Sequence, residues 1–116
     1  MQGDEITPST LIRLKREQSG RCALYAAASI GAGDTIEVAP VLVLPARDLA
    51  AIENTELEAC VRRWPEEGAI ALALGYSCFY GRSATPNAAW EALPGPRAIR
   101  TFALGPISEG EAVTLC

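Results

Sequence analysis

The 116-residue chain contains no histidine. That excludes a Ser-His-Asp or Cys-His triad and any histidine general base. Its four cysteines, Cys22, Cys60, Cys78 and Cys116, form no C-x-x-C pair, so a zinc site would have to gather four thiolates from distant positions. No metal site is expected, and four reduced, mostly buried thiols are the simpler reading. Aromatics make up only 6% of the chain. Trp64 and Trp90 therefore read as packing residues rather than as a methyl-lysine cage, which needs several clustered rings. Long apolar runs are also missing. CALYAAASIGAG and IEVAPVLVLPA are broken by Gly, Glu or Pro and are shorter than the roughly 20 residues of a membrane span, so no membrane partner is expected. The opening MQGDEITPST is polar and acidic where a leader would be basic and then apolar, which points to a cytoplasmic protein. A net charge of −4 argues against broad nucleic-acid binding, and Arg13, Lys15 and Arg16 read as a solvated strand edge.

What is present suits one folded domain. The chain is 49% hydrophobic and 21% charged, too apolar for a disordered protein. Residues 1–9 read as a flexible N-terminal segment and 10–116 as a single domain. Within that domain a phrase repeats at an offset of 77 residues, AAASIGAGDTI at 26–36 and ALGPISEGEAV at 103–113. Each copy carries an isoleucine knob (Ile30, Ile107), a two-residue turn, a glycine (Gly33, Gly110) suited to positive φ, and then an acid (Asp34, Glu111). Each copy should end one strand and launch the next.

The remaining pattern is of short strands. LIRLK at 11–15 reads as half-buried, and IEVAPVLVL at 36–44 as a strand that Pro40 confines to an edge or bends. AAWEAL at 88–93 and AIRTFAL at 98–104 should form a hairpin across Pro94-Gly95-Pro96. Between Pro45 and Trp64 the apolar period lengthens, with Leu49, Ile52, Leu57, Cys60 and Val61 at three- and four-residue spacings, so one or two short helices are expected there. IALALGYS at 70–77 is an apolar run, and AVTLC a terminal strand. Asp34, Glu37, Glu66 and Glu67 read as solvated charges.

Three ordered segments resemble the SET domain of S-adenosylmethionine-dependent protein-lysine methyltransferases. SGRCALYAAASIGAGDTIE is similar to the family's Gly-x-Gly turn with its following Ile-x-x-Gly-acid. LGYSCFYGRSATPNAAW is similar to the segment containing Asn-His-Ser-x-x-Pro-Asn, and ALGPISEGEAVTLC to the family's C-terminal Ile-x-x-Gly-Glu-Glu-Leu-Thr run. The resemblance covers roughly residues 10–116 and is closest in size to the small viral and bacterial members. It implies a mainly β, β-clip-like fold of short strands and hairpins, with a small helical insertion and a knot-like C-terminal crossing.

By the same resemblance, S-adenosylmethionine is the implied cofactor, and Gly20, Arg21, Cys22, Ala23, Gly81, Arg82, Ser83 and Asn87 are the implied cofactor-binding positions. Tyr80, Tyr25 and Tyr76 are the catalytic candidates, because the family's tail tyrosine would fall one place beyond Cys116. The motifs depart from the family at chemistry-bearing positions. Gly81 and Arg82 stand where the family has Asn-His, and Arg21 and Ala23 where it has its two glycines, with Gly20 one place early. A guanidinium is a permanent cation beside a ligand whose sulfonium is itself positive. Three functions follow: a degenerate SET protein acting as a binding or structural module, an active protein-lysine methyltransferase, or a fold relative that takes another small ligand. A basic, lysine-rich protein and a second copy of this chain are the expected partners.

Overall fold

The computed structural model describes residues 6–116. Residues 1–5, most of the segment read as a flexible N-terminus, lie outside the described residues. The chain is mainly β, as its pattern of short apolar strands requires. In chain order the strands are β1 (Ile12–Arg16), β2 (Cys22–Ala26), β3 (Thr35–Pro45), β4 (Val61–Arg63), β5 (Ala69–Ala73), β6 (Gly81–Arg82), β7 (Ala88–Leu93), β8 (Ala98–Ala103) and β9 (Thr114–Leu115). One helical turn, α1 (Leu49–Ile52), and 3-10 turns at Ala46–Asp48, Glu56–Cys60 and Ser77–Phe79 complete it. Among the described residues no helix is long and apolar enough to cross a membrane.

The largest sheet has five antiparallel strands in the order β4-β5-β3-β8-β7. Its centre, β3, is the strand that contains Pro40, and Pro40 nevertheless keeps the open side that the expectation of an edge or a bend requires. The reason is a change of partner. β3 pairs with β8 as far as Pro40 and with β5 from Val41 onward. Each half of the strand thus has one open side, and Pro40 sits at the change-over with its carbonyl accepting from Leu74 N at 3.0 Å. The expected hairpin forms as β7 and β8, with Leu93 opposite Ala98.

The repeated phrase proves to be a structural two-fold. The two copies pair with each other, Ile30 bridging Ile107 through two backbone hydrogen bonds of 2.8 and 2.9 Å. Gly33 N donates to Ala103 O and Gly110 N to Ala26 O, both at 2.8 Å. The acids cap their own turns in the same sense: Asp34 Oδ2 accepts from Gly31 N at 2.9 Å and Glu111 Oε1 from Ser108 N at 3.0 Å. Every one of these contacts recurs at the 77-residue offset. Gly33 and Gly110 take φ of 82° and 87°, and nothing lies within 4 Å of where a Cβ would stand. Gly33→Ala and Gly110→Ala should therefore carry only the backbone term and cost the same, about 1 kcal/mol each. Denaturant unfolding of the two variants checks this equality.

The core has two parts. Ile12, Leu24, Ile30, Ile36, Ile107, Val113 and Leu115 pack around the paired turns, and Val41, Trp64, Ala71, Ala73 and Ile99 between the strands of the large sheet. Trp90 touches both, which confirms its packing role.

Two expectations about the insertion need correction. The short helical turns expected there form, as α1 and the 3-10 turn Glu56–Cys60 among others, but Val61 does not continue them and instead opens edge strand β4, and Leu57 faces solvent. Cys60 and Cys78 are also not free thiols. They form a disulfide with Cα atoms 4.7 Å apart, within the range such a bridge requires, while Cys22 and Cys116 remain free. The bridge ties the Glu56–Cys60 turn of the insertion to the Ser77–Phe79 turn.

Candidate functional site

The N-terminal and central segments that carried the sequence resemblance converge on one cavity of about 590 Å³. One wall is the β1–β2 hairpin, through Glu17, Ser19, Arg21, Cys22 and Ala23. The other is the run Cys78–Arg82, with Ala59 of the insertion at the rim. A second cavity of about 400 Å³ shares Arg21, Cys22, Cys78 and Phe79 and adds Arg16, Gly20 and Glu56. Of the eight implied cofactor positions, six line these two spaces: Gly20, Arg21, Cys22, Ala23, Gly81 and Arg82. Gly20 takes φ of 89° with open space on its Cβ side, and its carbonyl accepts from Arg16 Nη1 at 2.8 Å.

Arg82 faces the cavity, but its hydrogen bonds are spent on main chain. Nη1 donates to Cys116 O at 2.9 Å and Nη2 reaches Ala59 O at 3.5 Å. The guanidinium thus ties the crossing strand β6 to the tail and to the insertion.

Ser83 and Asn87 lie outside both spaces. Ser83 Oγ accepts from Thr85 N at 3.0 Å and shapes the turn before Pro86. Asn87 clamps the C-terminal segment: its Oδ1 accepts from Thr114 N at 2.8 Å, and its Nδ2 donates to Ala112 O at 2.7 Å. The parallel pairing of β6 with β9 adjoins this clamp, and Ser83 N donates to Leu115 O at 2.9 Å. Asn87→Ala removes two short hydrogen bonds and leaves Thr114 N and Ala112 O short of partners, so it should lower stability by about 2 kcal/mol. Hydrogen exchange should show the loss concentrated at 112–115, whereas an even loss of protection across the chain would contradict a local clamp.

The three tyrosines do not converge. The Tyr25 hydroxyl donates to Glu17 Oε1 at 2.9 Å, and this bond raises its pKa above the usual phenol value. Lys15 Nζ stands 5.0 Å from the centre of its ring. Tyr76 lines a separate cavity of about 270 Å³ with Ile6, Pro8, Ser9 and Glu37. Tyr80 contributes to the wall of the main cavity, but its hydroxyl donates to Glu37 Oε1 at 2.7 Å inside the protein. Burial, the Glu37 charge and this hydrogen bond all push the Tyr80 phenol up. At neutral pH it is a committed donor and cannot act as a base.

Glu37 is the residue that the sequence misjudged most. Instead of a solvated charge it is 6% exposed, with Oε2 accepting from Tyr76 N at 2.9 Å. The cause is a β-bulge. The register against β8 shifts between Thr35 and Glu37, so Ile36 is an extra residue and both Ile36 and Glu37 turn inward. Arg62, 3% exposed, supplies nearby positive charge and donates to the carbonyls of Ala59 (2.8 Å), Val61 (3.2 Å) and Ser77 (3.0 Å). Desolvation and the Arg82 charge lower its pKa to about 10, still cationic at neutral pH.

No protein-family model matches the chain, and no curated protein does. Among solved structures it is similar to a Plasmodium falciparum protein provisionally described as a histone methyltransferase. The two share 16% identity with a TM-score of 0.70, over 94% of this chain and 92% of that one. The two chains therefore share a fold.

Proposed function

We propose that this is a SET-type protein whose main cavity binds an S-adenosyl ligand and which transfers methyl groups to lysine weakly or not at all. The observation that carries the reading is the cavity itself, built between the hairpin segment Glu17–Ala23 and the crossing segment Cys78–Arg82. Its volume of about 590 Å³ lies in the range of small-molecule sites. The donor set fits the ligand's amino-acid end: Arg21 offers a cation for a carboxylate, and Glu17 an anion for an amine. The Arg82 charge is partly offset by the carbonyl dipoles it contacts, which lessens its conflict with a sulfonium. When bound, such a ligand supplies an electrophilic methyl group.

The chain's own groups supply less. Methyl transfer to an amine depends mostly on positioning. Tyr80 spends its hydroxyl on Glu37, Tyr25 spends its own on Glu17, and Tyr76 lines another cavity. The reading is therefore of a binding module, with a basic, lysine-rich protein as its partner on the strength of the chain's net charge of −4, and with self-association to a homodimer as a further proposal.

The second reading, an active protein-lysine methyltransferase, is favoured by Gly20, whose positive φ and open flank give the close backbone approach that Arg21 and Ala23 do not. Incubation with S-adenosylmethionine and lysine-rich proteins, read by intact mass, separates the two. No increments of about 14 Da, the mass of one added methyl in place of a hydrogen, are expected on any lysine, although binding persists. Repeated turnover onto a defined lysine would establish the active reading.

A further inference from the structure

The Cys60–Cys78 disulfide is placed where it can control the candidate site, and the inference rests on the reading of that site as a ligand cavity. Cys78 lines both joined spaces, and Ala59, the neighbour of Cys60, stands at the rim. The same two turns are otherwise joined through hydrogen bonds: Arg62 donates to Ala59 O on one side of the bridge and to Ser77 O on the other. Arg82, on the cavity side, reaches Ala59 O only at 3.5 Å. The covalent bond is thus the firmest tie between insertion and crossing strand along this wall. Lining the same cavity is a half-buried free thiol, Cys22, on a strand that packs against the Ser77–Phe79 turn.

We propose that Cys60–Cys78 is a redox latch on the cavity. A dithiol reductant opens it by exchange. One reductant thiolate attacks a bridge sulfur to form a mixed disulfide and the other cysteine leaves as thiolate. The reductant's second thiolate then closes its own disulfide and releases the first cysteine. Two electrons and two protons pass to the protein, which ends with thiols at Cys60 and Cys78. The insertion turn Glu56–Cys60 is then free to move away from Ser77–Phe79. The outer wall loses its preorganisation, and affinity for a ligand held between that wall and the hairpin falls.

Cys22 gives a test that needs no ligand. Its alkylation by iodoacetamide, followed by peptide mass mapping so that Cys116 is counted separately, should run about tenfold faster after the bridge is reduced with dithiothreitol. A Cys60→Ser, Cys78→Ser variant in non-reducing buffer should match the reduced protein and be indifferent to dithiothreitol. Equal Cys22 rates in oxidised and reduced wild-type protein would overturn the latch, as would a dithiothreitol response that persists in the double variant. The wild-type comparison decides the matter even where the double variant does not fold. S-adenosylhomocysteine, titrated separately into oxidised and reduced protein, should bind about tenfold more weakly to the latter. Equal affinities would also overturn the latch. Absence of binding in both states, with the Cys22 difference intact, would instead overturn the ligand assignment and leave the latch standing.

Discussion

Glu37→Ala should lower the unfolding free energy by about 3 kcal/mol. The carboxylate accepts from the Tyr80 hydroxyl at 2.7 Å and from Tyr76 N at 2.9 Å, in a pocket where it is itself 6% exposed. Removing it strands the buried Tyr80 hydroxyl at a cost of roughly 1–3 kcal/mol, takes the partner from the part-buried Tyr76 N–H, and leaves Arg62 without nearby negative charge. Domains of this size are stable by only roughly 5–15 kcal/mol. Glu37→Gln keeps an acceptor for one of the two donors and should cost about half as much. Urea unfolding of the pair measures the difference. Equal and small losses would show that the buried carboxylate contributes little.

The second large effect should come from reducing the disulfide. The bridge closes a loop of sequence separation 18, and the chain-entropy relation gives about 3 kcal/mol for a loop of that length. For a chain of 116 residues this corresponds to a fall in Tm of about 10 °C. Calorimetric scans with and without dithiothreitol read it directly, with Cys60→Ser, Cys78→Ser as the reference. A reduced protein that melts within a degree or two of the oxidised one would mean that Arg62 alone suffices to hold the two turns together.

Both effects arise where the sequence was least legible, and for one reason. The paired turns at 26–36 and 103–113 could be read because glycine, turn and capping acid lie within a few residues of one another, and the same local chemistry occurs twice. The β7–β8 hairpin was legible on the same ground. Glu37, by contrast, is polar in a strand whose alternation a bulge resets, and only its partner β8 reveals that reset. Pro40 follows the ordinary rule against ladder interiors, but the rule acts through a change of partners that no local pattern encodes. Cys60 and Cys78 meet because the insertion folds back on the turn before β6, and nothing in their spacing announces it. The burial of Arg62 between two turns is of the same kind.

The candidate site divides along similar lines. Its two walls could be named from short glycine-bearing segments, and the structure brings Gly20–Ala23 and Gly81–Arg82 to the same pair of cavities. What each side chain does there depends on long-range partners. Arg82 is anchored to Cys116 and Ala59, Tyr80 turns away to Glu37, and Asn87 secures the C-terminal segment from outside the cavity.

The central proposal is that this cavity accepts an S-adenosyl ligand with Gly81 and Arg82 in its wall. Titration calorimetry of S-adenosylmethionine and S-adenosylhomocysteine into the oxidised 116-residue protein tests it most directly. The account predicts one site with micromolar affinity, weakened when Arg21 is changed to alanine. No heat of binding for either ligand at millimolar concentration would contradict it.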